Sequence, residues 1–466
     1  MKQARWKSPG KNGPGILGPA AQGRKPLLWL DSPGGQAILV GLLLCLSGNP
    51  VICSLPTLTL AVVAVCLAAA LDRRGTLVTM DLVLAVWLFS FVLLVQCLDF
   101  HLLPTAAMGG FLVRLYIGYA VVRLIPDFPR VYVHVMSCLA LLSLCFYVPS
   151  VLLASVGVNL EPFWAALAER LGTATPCGLP LLVHTFCRED LWRNAGMFWE
   201  PGAFQGYLTL ALICLWVIRE RLPARDYGRY FAILSVVLFT TLSTTGYLVY
   251  PLVLILHYDW RAKERRRRLR RVLVGGYVLL PLLVAICTYA YIRLEFLQAK
   301  MESQFDTALD QQEEGWHTTR LGSLLFDWEY IKRRPLTGWG LNDETRFALD
   351  PQYIGTPLGH GNGMSDFTAR FGVTGMLIWL LAVSLAVLRL AAADVGRTLL
   401  ILVVLLLVLQ GEAYLGYPLF LGLMFLRGRS GPNPRALPGH LGGLPLQIGS
   451  LWRGRIAPQR ASCAVR

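Results

Sequence analysis

Three stretches of this 466-residue chain set reactive side chains beside turn-forming residues. The first is Gly359-His360-Gly-Asn362-Gly-Met-Ser-Asp366, just before an apolar run. A histidine framed by glycines is exposed and unpacked, and its ring suits proton transfer near neutral pH. The plainer reading is a loop histidine with no task. The second is Arg193-Asn-Ala-Gly-Met-Phe-Trp-Glu200-Pro-Gly, which leads into a helix. Pro201 suits the first helical turn, and Glu200 lies near the positive helix end. The plainer reading is a helix cap with an interfacial aromatic belt from Phe198 and Trp199. The third is Arg320 with the turn Pro335-Leu-Thr-Gly-Trp-Gly-Leu341. Gly-x-Gly could offer backbone amides to a phosphate, while Arg320 could equally be a surface charge on an interfacial helix.

The elements that hold these residues are membrane helices. Hydrophobic residues make up 55% of the chain and charged ones 15%, where soluble domains carry roughly 25%. Apolar runs recur near the ~20 residues a span requires, without the alternation of barrel strands. The fold expected is all-α: a polytopic transmembrane bundle of about twelve spans. They fall near 27–48, 50–71, 80–98, 104–125, 131–156, 200–218, 229–243, 245–258, 272–292, 367–390, 397–411 and 413–427. Arg114 then lies near the middle of the fourth. A cation there costs at least ~2.5 kcal/mol on the lenient insertion scale, so it should face a polar cavity or an anion.

The net charge of +15 sits in short clusters beside apolar runs, including eight cations within Arg261–Arg271. That is the pattern of cytoplasmic loops, and it argues against nucleic acid. Alternating sides from an inside N-terminus puts Lys or Arg in every inside loop. The organisation expected is a basic tail over 1–26, a membrane block over 27–292 and a long outer loop over 293–366. A last membrane block covers 367–427, followed by a basic tail over 428–466. A smaller outer segment, 157–199, interrupts the first block. Its Cys177 and Cys187 could pair in an oxidising space. The long loop carries twelve acids and seven Lys or Arg, a balance that fits the outside. Within it, Leu321, Leu324, Leu325, Trp328 and Ile331 follow helical spacing, as in an amphipathic helix lying on the membrane.

In order and topology over about 190–390, these stretches resemble the O-antigen polymerase and ligase superfamily of bacterial polysaccharide assembly. Arg193-x-x-Gly-x-Phe-x-Glu-Pro-Gly looks like the family's Arg…Gly…Glu-Pro segment. Arg320 with Pro-Leu-Thr-Gly-Trp-Gly looks like its arginine and Pro-Leu-x-Gly-x-Gly turn. Gly-His360-Gly-Asn362-Gly with Phe-Gly-Val-Thr-Gly looks like its His-Asn element. One departure is Ser243-Thr244-Thr245, where the family often has Ser-Arg; Thr244 replaces that arginine, and Arg114 is the candidate to compensate.

The resemblance implies a multi-pass inner-membrane glycosyltransferase with cytoplasmic termini and a periplasmic active site. Its substrate would be a polyprenyl-diphosphate-linked glycan, with a chain-length regulator and a flippase as possible pathway partners. Arg193 and Arg320 would bind the diphosphate, aided by Arg114 and Asn362. His360 or Glu200 would be the base, with Arg320 supporting the chemistry. No cofactor is expected, and no Asp-x-Asp pair lies in the outer loops, so transfer is expected to be metal-independent and inverting. The resemblance leaves repeat-unit polymerase, ligase and, in another class, polysaccharide transporter or flippase as rival readings. A transporter would usually show related halves, and no internal repeat is seen.

Overall fold

The computed structural model describes residues 32–53, 55–72, 78–158, 160–170, 173, 178–187, 192–258, 320–355 and 361–427. The span expected at 272–292, all of the loop before Arg320, His360, Cys177 and both tails lie outside the described residues. Eleven of the expected spans fall on described residues, and ten are single α-helices. They are α1 (Pro33–Gly48), α2 (Pro56–Asp72), α3 (Met80–Phe100), α4 (Thr105–Leu124) and α5 (Phe128–Ser155). After a short helix, α6 (Glu161–Arg170), come α7 (Pro201–Val217), α8 (Ala224–Thr240) and α9 (Thr244–His257). Beyond the loop helices α10 (Arg320–Arg333) and α11 (Asp343–Arg346) come α12 (Gly363–Leu390) and α13 (Val395–Leu409).

The chain is a helical membrane protein. Helices α3, α4, α5 and α12 are long and apolar enough to cross a bilayer. On α3, Leu84, Trp87, Phe91, Leu94 and Leu98 form an exposed stripe, while Phe89, Val92, Leu93 and Gln96 face inward. A wholly apolar outer face suits lipid. Other apolar helices among the described residues are shorter. Helices α1, α7, α9 and α13 have 14 to 17 residues, or ~21–26 Å at 1.5 Å per residue. The last expected span is not one helix but three pieces: Tyr414–Gly416, α14 (Pro418–Gly422) and Leu423–Phe425. Pro418 removes an amide from the helical ladder. Gly118 of α4 and Gly422 of α14 let two backbones meet, since a Cβ on either would collide with the other segment.

Helix α7 is the centre of the bundle: every residue from Pro201 to Trp216 is buried. It packs against α5, α8 and α9. Tyr414 reaches its first turn and donates to the Gly202 and Ala203 carbonyls at 2.8 and 3.1 Å. The segment before α7 contains α6 and a two-stranded antiparallel hairpin, β1 (Gly178–Pro180) and β2 (Thr185–Cys187). Leu179, Leu181 and Phe186 pack with Ala168 in a small core of their own.

One detail of packing differs from expectation. Phe198 is fully buried and stacks on Tyr207 at 4.1 Å, so it is core and not an interfacial belt. On α10, Leu324, Leu325 and Trp328 are the exposed face, whereas Ser323, Phe326, Asp327 and Tyr330 are buried.

Candidate active site

The turn Pro335–Leu341 and the Arg370-Phe-Gly-Val-Thr-Gly stretch form one interlocked unit. Gly372 has φ +68°, which breaks α12 between Phe371 and Val373. The carbonyls released there are taken by the turn: Trp339 N donates to Ala369 O and Gly340 N to Arg370 O, each at 2.9 Å. In return Val373 N donates to Pro335 O at 2.7 Å. Gly338 and Gly340 also lie at positive φ, and a Cβ on Gly338 would strike the Gly372 amide at 2.5 Å. These glycines serve close backbone approach. The amides of Gly338, Trp339 and Gly340 all have backbone partners, so the phosphate cradle considered for this turn is not present in this state. Gln96 of α3 closes the unit by donating to the Thr337 and Arg370 carbonyls.

At the other end of the loop, Arg320 opens α10 and points into the bundle. Its Nε donates to Gly411 O at 3.0 Å, Nη1 to Thr245 Oγ1 at 3.3 Å and Nη2 to Glu412 Oε1 at 3.2 Å. Among the described residues, two of the five guanidinium donors remain. The second motif meets it here. Glu200 has extended backbone as the N-cap of α7, yet its side chain does not cap the helix. A Cβ on Gly202 would lie 3.0 Å from Glu200 Oε1 and 2.9 Å from Arg320 Nη2, and would collide with Glu412 Oε1. Glycine at 202 is what allows the three charged ends to converge. Trp199 donates to Glu412 Oε2 at 3.4 Å and stacks on Tyr417.

Glu412 was not singled out by sequence. Its signal was an acid in the short Gly-Glu-Ala-Tyr connection between two apolar runs, where charge is costly unless used. Burial, then repulsion from Glu200 and a hydrogen bond with it, push the Glu412 carboxyl well above its ordinary range; Arg320 opposes this. Two carboxyls this close favour holding one proton between them. That arrangement can accept or deliver a proton beside a cation.

The loop before α7 is fixed by buried amides. Asn49 donates to the Leu182 and Met197 carbonyls at 2.8 and 3.1 Å. Asn194 donates to Ser143 and Thr240 hydroxyls, each at 3.0 Å. Arg193, half-buried, donates through Nε to Thr241 O at 3.3 Å. Arg193 and Arg320 thus bracket one turn, Thr241–Thr245, which contains Thr244.

Of the remaining candidates, Asn362 lies beside the Arg320–Glu412 centre, between Gly361 on Arg320 and Gly363 on Glu412. Asn362 is buried; its carbonyl oxygen caps α12 through Ser365 N at 3.1 Å, and its amide donates to Gln410 at 2.7 Å. Both ends of that side chain therefore serve the fold. Gly361 packs on Arg320, its amide donating to Ser323 Oγ at 3.1 Å. Arg114 lines a cavity beside Arg370, and none of Glu200, Arg320 and Glu412 lines it.

Fold and site together define a polytopic helical membrane protein with an acid–arginine centre at the buried head of its central helix. Residues 230–380 match the family model described as O-antigen ligase. That match supports the O-antigen polymerase and ligase superfamily, and it spans the Thr241–Thr245 turn, Arg320 and the interlocked turn. No curated protein matches the chain.

Proposed function

We propose that this protein is an inner-membrane glycosyltransferase that polymerises polyprenyl-diphosphate-linked oligosaccharide repeat units on the periplasmic face. The observation that carries the reading is the meeting of Glu200, Arg320 and Glu412 at Gly202. Two of the three come from the motifs that resemble the superfamily. An acceptor hydroxyl attacks the donor's anomeric carbon, forming a new C–O bond. The bond from that carbon to the diphosphate breaks, and its electron pair leaves with polyprenyl diphosphate. The hydroxyl proton passes to the Glu200–Glu412 pair or to His360, which stays in the proposal on sequence grounds. Attack opposite the leaving group inverts the anomeric centre. Arg193 and the two remaining donors of Arg320 offset charge growing on the diphosphate, the task for which a rigid, permanently charged fork is suited. Arginine thereby takes the part that a divalent cation plays elsewhere, and the route is metal-independent. Charge alternation supports cytoplasmic termini, and a flippase and chain-length regulator are the expected pathway partners.

The description of the matched family favours a second reading, transfer of a finished chain onto lipid A core or another acceptor. Product analysis in a deletion strain separates the two. Single repeat units on the acceptor indicate a lost polymerase; long chains stranded on the lipid carrier indicate a lost ligase. Reconstitution with a lipid-linked repeat unit tests the class: translocation without transfer would identify a flippase and refute both enzyme readings.

A further inference from the structure

A second charged centre lies against the segment 413–417. It is a cavity of about 220 Å³ lined by Phe111 and Arg114 of α4, by Asp366 and Arg370 of α12, and by Ala413 and Tyr417. One water requires roughly 15 Å³ on this measure, so the space accepts a much larger polar group. None of Arg193, Glu200, Arg320 and Glu412 lines it. The two centres are neighbours: Arg320 binds Gly411 and Glu412, while the cavity begins at Ala413 and at Gly363, which packs on the Glu412 backbone.

Both arginines are held from behind. Arg114 Nε donates to Gly110 O, one turn back in its own helix, at 3.2 Å. Arg370 Nε donates to both oxygens of Asp366 at 2.9 Å. Among the described residues the terminal nitrogens of neither guanidinium have a hydrogen-bond partner. The acids nearby are engaged: Asp366 also accepts from Arg346 at 3.4 Å, and Arg346 pairs with Asp327. Asp343 adds its field to Arg370 from an exposed position. Two oriented cations beside one polar cavity form a seat for a multiply charged anion with spread oxygens, and diphosphate is that shape.

The geometry points to the Arg114–Arg370 cavity as the seat of the diphosphate of a second polyprenyl-linked glycan, the acceptor. This rests on the glycosyltransferase reading and sharpens it. A repeat-unit polymerase must hold two lipid diphosphates at once, donor and acceptor, whereas a ligase acting on lipid A core needs one. The donor's diphosphate then belongs to Arg193 and Arg320.

The test uses the full chain in lipid nanodiscs with polyprenyl diphosphate, lacking any glycan, as the probe, and native mass spectrometry as the readout. The native protein should bind two equivalents. Arg114→Gln and Arg370→Gln should each bind one. Arg114→Gln is the cleaner variant, because its only described hydrogen bond stays within its own helix. A single equivalent on the native protein, or two on both variants, overturns the proposal. Inorganic diphosphate displacing one equivalent as well as the lipid does would assign the cavity to a soluble anion and overturn it too. A parallel assay with lipid-linked repeat units separates the two levels. If the native protein makes polymer and both variants match it, the cavity assignment fails and the enzyme reading stands. If the native protein makes none yet loses one equivalent on Arg114→Gln, the anion seat stands and the polymerase reading fails, taking the acceptor assignment with it.

Discussion

Glu412 accepts a hydrogen bond from Arg320 at 3.2 Å, although 92 residues separate them in the chain. The pair joins the start of the loop helix to the connection between the last two apolar segments. Because Arg320 also holds Gly411 and Thr245, its guanidinium fixes three chain segments with one planar group. Lysine carries the charge but cannot reproduce that fork. Arg320→Lys should therefore lower polymer yield by ~10²-fold, as loss of an oriented transition-state donor does. Polymer analysis at matched protein level checks this, and native chain length and yield in Arg320→Lys would remove Arg320 from the site.

The buried carboxyl has a pH signature. The Glu412 carboxyl is raised above its ordinary value of 4.5, chiefly by burial and then by Glu200. Between that value and the folded one, the folded protein keeps a proton that the unfolded chain has released. Its stabilising contribution is complete below pH 4.5 and is lost as pH rises through the raised folded value. Glu412→Gln should flatten this decline and leave the protein more stable than native at neutral pH. Thermal unfolding of detergent-solubilised protein across acidic to neutral pH reads it directly. An equally steep decline in the variant would show that Glu412 is not the titrating group.

Gly202→Ala probes the meeting point without removing any charge. The added carbon displaces the ends of Glu412, Arg320 and Glu200. These are flexible tips, so stability should change by no more than ~1 kcal/mol. Catalytic geometry is less forgiving: a displacement near 1 Å can cost ~10²-fold in rate. Near-native melting with strongly reduced polymer is the expected combination, and full activity would place the chemistry elsewhere.

Arg114→Met separates a working cation from a structural one. A mid-helix arginine costs at least ~2.5 kcal/mol on the insertion scale, and here no described carboxylate pairs with it. The variant should melt higher than the native protein. Polymerisation should fall at least about tenfold, the equivalent of ~1.4 kcal/mol of binding. A lower melting temperature with unchanged activity would make Arg114 a packing residue.

How much of this was legible beforehand depends on how local each signal was. Hydropathy located α3 and α4 to within two residues, because lipid solvation acts on each run separately. The cost of a mid-helix cation pointed Arg114 to a polar cavity or an anion, and it lines a cavity beside Arg370 and Asp366. The meeting of Glu200 with Arg320 was foreshadowed only by motif order. Glu412 was not visible, since one acid in a four-residue connection has no pattern until its partners arrive from 200 and 320. The break in α12 was missed for the same reason. Arg370-Phe-Gly-Val-Thr reads as a continuing span, and only the facing turn reveals that Gly372 must leave the helix.

That break yields a further expectation. Gly372 sits at φ +68°, and any Cβ there would strike the backbone carbonyl of Leu336, which cannot swing aside as a side-chain tip can. Gly372→Ala should cost ~1–3 kcal/mol from backbone strain alone, with further loss from the collision. Reduced membrane yield and a lower melting temperature are expected, and a native melting curve would mean the interlock is dispensable.

Gln96 also bears on how the molecule is made. Its amide binds Thr337 and Arg370, which emerge from the ribosome 241 and 274 residues after it. Synthesis runs from the N-terminus, so α3 enters the bilayer with this amide waiting for a partner not yet translated. The loop can lock only once Val373 has arrived to bind Pro335, and Glu412 follows later still. Chains that stall earlier would leave a membrane-inserted but inert intermediate, so quality control of this protein has a natural checkpoint at the emergence of its last helices.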